Sequence, residues 1–235
     1  MKTLENIHVG IIGIGYIGLS LALEISKKYK VIAYDKSRKR IRELNLKFDS
    51  TNEHNLKKIN TSNIKFTNST SKLYKCNIYI IAVPTPVKKN QPDLQLTLSA
   101  TNIVAKNIKK GDIVVYESTF YPGVTENICA VEIEKISKLK LNQDFFVGYS
   151  PERINPGDKT RTISKIKKIT SGSSKNSATF IDKFYKTFIK AGTYKVDSIK
   201  IAEAAKVIEN TQRDLNIALI NEFSIIFDRL DIDTF

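Results

Sequence analysis

The fold of this chain is decided by residues 8–35, which read HVGIIGIGYIGLSLALEISKKYKVIAYD. An apolar strand comes first, followed by a glycine-rich turn, an apolar run with helical periodicity and a second apolar strand. Gly13 permits the tight bend, Gly15 lets the backbone approach a pyrophosphate, and Gly18 lets the helix pack close to the strand. Asp35 follows the second strand, 22 residues after Gly13, where its carboxylate can accept hydrogen bonds from ribose hydroxyls.

This arrangement predicts a dinucleotide site, with Tyr16 and Ile17 completing the phosphate turn. The helix N-terminus offers free N–H groups and the positive end of a dipole to the phosphates. Because the carboxylate of Asp35 would repel a 2′-phosphate, we expect NAD rather than NADP. Arg40 lies five residues beyond Asp35 and is either an adenosine-side contact or a surface arginine. The alternative for the whole stretch is a glycine-rich turn in another kind of α/β protein.

The composition excludes some classes of function. With 235 residues and 41% hydrophobic residues, the chain can form one large domain, or one domain and part of another. The net charge is +14, but the lysines are scattered and no basic stripe alternates with aromatic residues. We therefore expect solvated lysines and no nucleic-acid partner, although the positive field favours anionic ligands.

Cysteine and histidine are too few and too scattered to predict a metal site. The chain contains only Cys76 and Cys129, with no CxxC pair, and only His8 and His54. This usage predicts reduced, packed cysteines in a cytoplasmic protein. The uncharged run at 9–23 is too short to span a membrane and lacks a signal-peptide cleavage pattern, so we expect no membrane partner.

Three later strands each end in a loop that carries polar side chains. The loops are VPTP (83–86), EST (117–119) and SPERI (150–154). Open α/β sheets bind ligands at the carboxyl ends of their strands. We therefore expect Pro84, Thr85, Ser118 and Thr119 to border the cofactor. A carboxylate held between prolines just past a strand, such as Glu152, is well placed for acid–base chemistry, although it could also be a solvated loop residue.

The last part of the chain predicts one long helix. From Ser198 to about Leu230 there is neither proline nor glycine, and Asp197 or Ser198 can cap the helix. Lys206 and Asn210 are four residues apart and therefore share a face. The predicted fold class is α/β: a Rossmann-type, doubly wound and mostly parallel sheet followed by this helix.

Taken together, these motifs resemble the UDP-glucose/GDP-mannose dehydrogenase family. The matching segments are GIGYIG (13–18), VPTP (83–86), EST (117–119), SPER (150–153) and the KxxxN of Lys206 and Asn210. Residues 150–159 and 203–216 most resemble the branch that oxidises UDP-N-acetylglucosamine, or its galactosamine epimer, at C6. The family oxidises a primary alcohol to a carboxylate with two NAD⁺. The resemblance therefore implies a nucleotide-sugar 6-dehydrogenase of polysaccharide precursor synthesis.

The resemblance also implies roles for the matching residues. Lys206 would stabilise the alkoxide and the tetrahedral oxyanions, since a fixed cation in a dry pocket suits that task. Asn210 would orient the reacting C6 group or a water. Glu152 would be the acid–base residue, or would position the water that hydrolyses a thioester. Thr119 would help to hold that water and the nicotinamide.

The resemblance further implies how the chain is divided. Residues 1–197 would be the NAD-binding Rossmann domain, and residues 198–235 would be the truncated start of a central helical domain. The helix at 198–230 would form a homodimer interface. On the substrate side, the backbone around Arg153 and Ile154 would contact the sugar, next to the residues with catalytic roles.

One difference from the family limits the expectation of 6-dehydrogenase activity. Family members continue into a Gly-Gly-His-Cys segment, whose cysteine carries the covalent intermediates, and into a second Rossmann-like domain. This sequence stops at Phe235, and Cys76 and Cys129 do not match that segment. We therefore expect an N-terminal part that is inactive alone. A non-catalytic NAD-binding or assembly module is one alternative. A β-hydroxyacid dehydrogenase, which also carries Lys-x-x-x-Asn, is another, but the Pro-Thr-Pro and Ser-Pro-Glu-Arg loops argue against it.

Overall fold

The computed structural model describes residues 4–154 and 162–234. The strands are β1 His8–Ile12, β2 Lys30–Tyr34, β3 Ile64–Thr67, β4 Ile78–Ile81, β5 Val87–Lys88, β6 Gln91–Pro92, β7 Asp112–Tyr116, β8 Phe145–Tyr149, β9 Lys168–Thr170 and β10 Thr193–Lys195. The α-helices are α1 Tyr16–Ile25, α2 Arg38–Asn45, α3 Gln95–Ala105, α4 Val131–Ser137, α5 Lys175–Lys186 and α6 Ile199–Arg229. A π-helix, Val124–Ala130, leads directly into α4.

Six strands form one sheet in the order β3-β2-β1-β4-β7-β8. Every neighbouring pair in this sheet is parallel. The strand order reverses between β1 and β4, which is the topological switch point of a doubly wound sheet. The predicted Rossmann-type fold is therefore confirmed. Two small sheets accompany it, the parallel pair β9 and β10 and the antiparallel hairpin of β5 and β6.

The central strands β4 and β7 are apolar apart from Asp112 at the start of β7, because both faces of the sheet are covered. All residues of β4 and of β7 are buried. Since successive side chains point to opposite faces, Ile80 and Val115 belong to one core cluster while Ile81 and Tyr116 belong to the other. Helices α1 and α5 contribute to the first cluster, and α3 and α4 to the second.

The strand before the VPTP loop is short, Ile78–Ile81, and Cys76 precedes it at the end of a 3-10 turn. Pro84 cannot extend the strand because it lacks an N–H. Both cysteines are buried, and Cys129 lies in the π-helix.

The long helix α6 begins at Ile199, and the Ser198 side chain caps it by accepting from the backbone N–H of Ile201 at 3.3 Å. Its buried residues are confined to the first turns and end at Lys206. The described residues beyond Lys206 are exposed or half-buried. Among the described residues, no helix is long and apolar enough to cross a membrane.

Candidate active site

A cavity of about 550 Å³ lies at the carboxyl ends of the central strands, beside the switch point. The glycine turn, the three polar loops and the start of α6 all contribute to its wall. The predicted site residues that line it are Gly13, Gly15, Tyr16, Ile17, Asp35, Pro84, Thr85, Ser118, Thr119, Glu152, Ile154 and Lys206. The structure therefore brings together residues from across the whole chain, although their individual roles stay predictions.

The glycine turn has the backbone that the sequence motif requires. Gly13 has φ +93°, and a Cβ there would lie 2.8 Å from Val83 Cγ1. A Cβ on Gly18 would lie 1.9 Å from the carbonyl oxygen of Gly13, so helix α1 needs glycine at this position. A Cβ on Gly15 would meet no atom within 4 Å. Because Gly15 also lines the cavity, the space in front of this turn is free for a ligand.

Asp35 is held at the cavity by the turn itself. One carboxylate oxygen accepts from the backbone N–H of Ile14 at 2.9 Å, and the other accepts from that of Ser37 at 2.8 Å. A carboxylate has about four acceptor positions, so capacity remains for ribose hydroxyls. This geometry fits the predicted contact between Asp35 and the dinucleotide.

Arg40 lies behind the turn and does not line the cavity. Its Nε donates to the carbonyl oxygen of Ile14 at 2.8 Å, and its Nη1 lies 2.8 Å from Asp49 Oδ1. The alternative of a surface arginine is wrong, because Arg40 is buried and paired with a carboxylate. Its Nη2 is buried without a partner among the described residues. A cofactor contact by Arg40 stays a prediction.

The loops at 83–86 and 117–119 are tied together. The Ser118 hydroxyl donates to the carbonyl oxygen of Val83 at 2.6 Å, and the Tyr149 hydroxyl donates to the carbonyl oxygen of Ser118 at 2.9 Å. Thr119 is exposed at the cavity. The Thr85 Oγ1 atom is buried and has no partner among the described residues. That hydroxyl is therefore available to a ligand in the cavity.

Glu152 is an ionised carboxylate at the wall of the cavity. Its Oε1 accepts from the backbone N–H groups of Arg153 and Ile154 at 2.7 and 2.8 Å, and its Oε2 accepts from Lys168 Nζ at 2.7 Å. Burial alone would raise the pKa of Glu152, but Lys168 and the two N–H groups outweigh it and hold the pKa below its usual value. The alternative of a solvated loop residue is wrong, because Glu152 is only 5% exposed.

Lys206 comes from the second turn of α6 and reaches the same loop. Its Nζ donates to the backbone carbonyl oxygen of Glu152 at 2.5 Å. Burial lowers the pKa of Lys206 from its usual value, while Glu209 and Glu152 oppose that effect. The site therefore places a desolvated ammonium beside a carboxylate.

Two residues predicted on the substrate side lie beside the cavity but do not line it. Arg153 turns to α6, where its Nε donates to Glu209 Oε1 at 3.1 Å. Asn210 is half-buried one turn beyond Lys206, and the cavity wall includes Lys206 but not Asn210. The predicted roles of Arg153 and Asn210 toward the sugar stay predictions.

A buried charged cluster was missed by sequence reasoning. The Lys168 ammonium donates to both Glu117 Oε2 and Glu152 Oε2, and the Tyr185 hydroxyl donates to Glu117 Oε1 at 2.5 Å. Burial, the largest effect, raises the pKa of Glu117 to about 7, with Glu152 adding to the shift and Lys168 opposing it. The sequence did contain one signal for this cluster: Lys168 is the first residue of strand β9, and the rest of that strand is uncharged.

No group of three or more His, Cys, Asp or Glu side chains in residues 4–154 and 162–234 is placed to hold a metal ion. The described wall of the cavity offers carboxylate, ammonium and hydroxyl groups, together with the backbone of the glycine turn.

Comparison with known proteins identifies the family. Residues 7–189 match the NAD binding domain of the UDP-glucose/GDP-mannose dehydrogenase family, and residues 200–235 match its central domain. The chain belongs to this family. NAD is therefore the cofactor of the Rossmann domain, and the alternatives of an unrelated α/β protein and of a β-hydroxyacid dehydrogenase are set aside.

Two curated members of the family are especially similar. A UDP-N-acetyl-D-glucosamine 6-dehydrogenase of Pseudomonas aeruginosa is 52% identical over 98% of this chain and 55% of its own length. Another, from Salmonella typhi, is 52% identical over 100% of this chain and 56% of its own length. The chain thus spans about half the length of these relatives.

A solved member of the family shares the fold. The structure of a UDP-D-ManNAc dehydrogenase from Pyrococcus horikoshii has a TM-score of 0.87 and 32% identity, and the match covers 95% of this chain and 55% of that one. The match therefore covers nearly all of this chain and about half of that one.

Proposed function

We propose that this chain is the NAD-binding part of a nucleotide-sugar 6-dehydrogenase that oxidises the C6 alcohol of a UDP-N-acetylhexosamine to the uronate. The observation that carries the proposal is that Glu152 and Lys206 share one cavity with the glycine turn and Asp35. A hydride acceptor bound at the turn would therefore lie in the same space as an acid–base carboxylate and an ammonium. The two similar 6-dehydrogenases support the choice of sugar.

The chain's own groups fit the cofactor. Gly15 leaves open space at the turn, Thr85 presents an unpartnered hydroxyl, and Asp35 has acceptor capacity for the ribose. The helix dipole of α1 favours the negative charge of a pyrophosphate. When bound, NAD⁺ supplies the hydride acceptor for the oxidation of an alcohol.

The remaining chemistry is assigned to residues of the cavity wall. Lys206 stabilises negative charge on the C6 oxygen, because a positioned cation in a dry site is most effective where charge develops. Glu152 is ionised and can accept a proton from the substrate or from a water. The exposed Thr119 hydroxyl holds that water or the nicotinamide amide. Asn210 and the backbone at Ile154 orient the sugar.

The second oxidation needs a nucleophile that these residues do not supply. Burial raises the pKa values of Cys76 and Cys129 to about 12 each, and neither thiol lines the cavity. Both are therefore poor nucleophiles. We infer that this chain alone does not form the uronate, which keeps open the second candidate, a module that binds NAD without turnover.

We also propose the partners and the location of the chain. The exposed apolar part of α6 supports a homodimer, and the anionic partner of this basic protein is the nucleotide sugar rather than a nucleic acid or a membrane. The free thiols of Cys76 and Cys129 support a cytoplasmic location.

The test compares this chain with a version extended by the second half of a similar relative. We expect both to bind NAD⁺ in calorimetry, and only the extended chain to release two NADH per UDP-N-acetylglucosamine. In the extended chain, Lys206→Ala should lower kcat by about 10²–10³-fold, as expected for the loss of one oxyanion donor. Lys200→Ala, an exposed lysine of the same helix, is the control and should leave kcat unchanged. NAD⁺ binding without turnover by the extended chain would favour the binding module.

A further inference from the structure

A buried cluster, which we call the carboxylate–lysine cluster, is formed by Glu117, Glu152, Lys168 and Tyr185. Its members come from four places in the fold: the end of β7, the loop after β8, strand β9 and helix α5. Glu117 and Glu152 line the cavity, whereas Lys168 and Tyr185 do not. The cluster therefore extends from the cavity wall into the protein interior.

Lys168 occupies the centre of this cluster. Its side chain is 2% exposed, and its two carboxylate partners are 0% and 5% exposed. Burial would lower the pKa of Lys168, but Glu117 and Glu152 raise it above its usual value. The lysine therefore stays charged between two buried carboxylates that border the cavity.

Such a cluster is poorly explained by stability alone. Removing charges from water is expensive, and buried ion pairs are often no more stable than well-packed apolar side chains of similar volume. Tyr185 belongs to one of the two apolar core clusters, so the charged groups adjoin apolar packing. A role for the charges in the chemistry at the cavity is the better account.

We propose that Lys168 is a positioning residue that fixes the Glu152 carboxylate, ionised, at the cavity wall, and that Glu117 and Tyr185 hold the Lys168 ammonium in place. The two oxygens of Glu152 are assigned to different partners, two backbone N–H groups on Oε1 and Lys168 on Oε2. This division fixes the rotation of the carboxylate. That a fixed, ionised Glu152 carboxylate assists proton transfer rests on the function proposed above.

Glu117 anchors the ammonium from the opposite side. Lys168 Nζ reaches Glu117 Oε2 while the Tyr185 hydroxyl occupies Glu117 Oε1. The ammonium therefore cannot swing away from Glu152 without leaving Glu117. Two carboxylates that share one cation are driven toward different protonation states. Glu152 is the ionised member, and Glu117 is the member whose pKa rises to about 7.

Other titratable groups face the cluster and bear on its charge. Lys206 of α6 donates to the carbonyl oxygen of Glu152. Tyr16 of α1 has a pKa raised by burial and also by the Glu152 charge. Removing Lys168 would leave Glu152 with only its backbone partners and the more distant Lys206 ammonium. The pKa of Glu152 should then rise.

The test is a carbon-13 NMR titration of this chain with the glutamate carboxyl carbons labelled, the two signals being assigned with Glu117→Gln and Glu152→Gln. In the wild type we expect Glu152 to titrate below the usual range of glutamate. In Lys168→Met, which keeps the length of the side chain, we expect the pKa of Glu152 to rise by about one unit or more. Lys167→Met, an exposed neighbour, is the control and should shift neither signal.

Lys168→Gln removes the same charge, keeps a polar side chain and serves if Lys168→Met does not fold; it should raise the pKa of Glu152 in the same way. Glu117→Gln should remove the transition near neutral pH and leave the pKa of Glu152 low, because Glu117 is already protonated where Glu152 titrates. An unchanged Glu152 pKa in folded Lys168→Met or Lys168→Gln would overturn the inference and leave Lys168 a space-filling residue.

A kinetic measurement in the extended chain tests the benefit for proton transfer. Lys168→Met should move the acidic limb of the kcat profile to higher pH by about one unit, with a smaller effect on KM for the sugar. An unmoved limb would overturn this role. If the wild-type extended chain shows no turnover, the proposed function fails, while the NMR titration still decides whether Lys168 controls Glu152.

Discussion

Asp35 both stabilises the glycine turn and borders the cavity that the turn helps to form. Its carboxylate accepts from the backbone N–H groups of Ile14 and Ser37, so it helps to shape the turn that it borders. Arg40 supports the same segment from behind, through the carbonyl oxygen of Ile14. The N–H and the carbonyl of Ile14 are thus both fixed before any ligand arrives, which reduces the ordering needed on binding.

Replacing Asp35 by alanine should weaken NAD⁺ binding by roughly ten- to a hundredfold. The reason is the loss of charged acceptors for the ribose hydroxyls, at about 1.5–3 kcal/mol for such hydrogen bonds. Calorimetric titration measures the effect, and Asp214→Ala on the exposed part of α6 is the control. Equal affinity of wild type and Asp35→Ala would show that the adenosine ribose binds elsewhere.

Glu117 predicts an unusual dependence of stability on pH. An unfolded glutamate has a pKa of about 4.3, whereas in the folded chain the pKa of Glu117 is about 7. Between these values the folded chain keeps a proton that the unfolded chain has released. The contribution of Glu117 to the free energy of unfolding therefore falls as pH rises through this window.

As the pH rises from about 5 to about 8, the free energy of unfolding of Glu117→Gln should accordingly increase relative to that of the wild type by roughly 2–3 kcal/mol. Denaturant unfolding at the two pH values measures this difference. Glu222→Gln, at an exposed position of α6, is the control and should show no such change, because it does not contact Glu117. A flat difference for Glu117→Gln would mean that Glu117 is ionised throughout.

At the scale of elements, the sequence predicts those structural features that are determined by residues close together in the chain. The glycine turn, the strand that follows it and the proline-free helix α6 each carry their signal within one short stretch, and the structure contains all three. The three polar loops were placed at one edge of the sheet because parallel strands end there. Their side chains do share a cavity.

The carboxylate–lysine cluster could not be predicted in the same way. Lys168 and Glu117 are 51 residues apart, and Tyr185 and Glu117 are 68 apart. No local sequence pattern indicates which buried charged side chains contact each other. The pairing of Arg40 with Asp49 was missed for the same reason, since Asp49 belongs to a polar segment that carries no periodicity.

Helix α6 and the π-helix are joined by one buried carboxylate. Glu203 of α6 accepts from the backbone N–H groups of Gly123 and Thr125 at 2.6 and 2.9 Å. These are free donors at the start of the π-helix, where a negative charge is favourable. Glu203 therefore ties the loop that carries Thr119 to the helix that carries Lys206.

Glu203→Ala should lower the free energy of unfolding by about 3 kcal/mol, because two buried N–H groups lose a charged acceptor. Chemical denaturation measures the loss. Glu222→Ala, an exposed position on the same helix, is the control and should change stability by less than about 0.5 kcal/mol. A loss of that small size for Glu203→Ala would show that water replaces the carboxylate without penalty.

At the scale of the whole molecule, the described chain combines a buried Rossmann core with a helix that is largely uncovered. Beyond Lys206, the large apolar side chains of α6 are substantially exposed; they include Leu215, Ile217, Leu219, Ile220, Phe223, Ile225, Ile226 and Leu230. Phe223 and Phe227 stack on each other with ring centroids 5.9 Å apart. Contiguous apolar surface of this kind marks an interaction site.

We expect this chain to associate with a second copy through residues 215–230. Apolar surface in water is unfavourable by roughly 25 cal/mol per Å², and these side chains cover most of the helix circumference, as on helices that are normally buried. Asp214, Asn221 and Asp228 recur every seven residues and should mark the edge that stays wet.

Light scattering should give the mass of a dimer for the wild type. The double variant Phe223→Glu, Ile226→Glu should be a monomer, because each buried carboxylate would lack a partner. Asn221→Glu adds one such charge at the wet edge and should leave the dimer intact. A monomeric wild type, or a dimer that survives the double variant, would refute this interface.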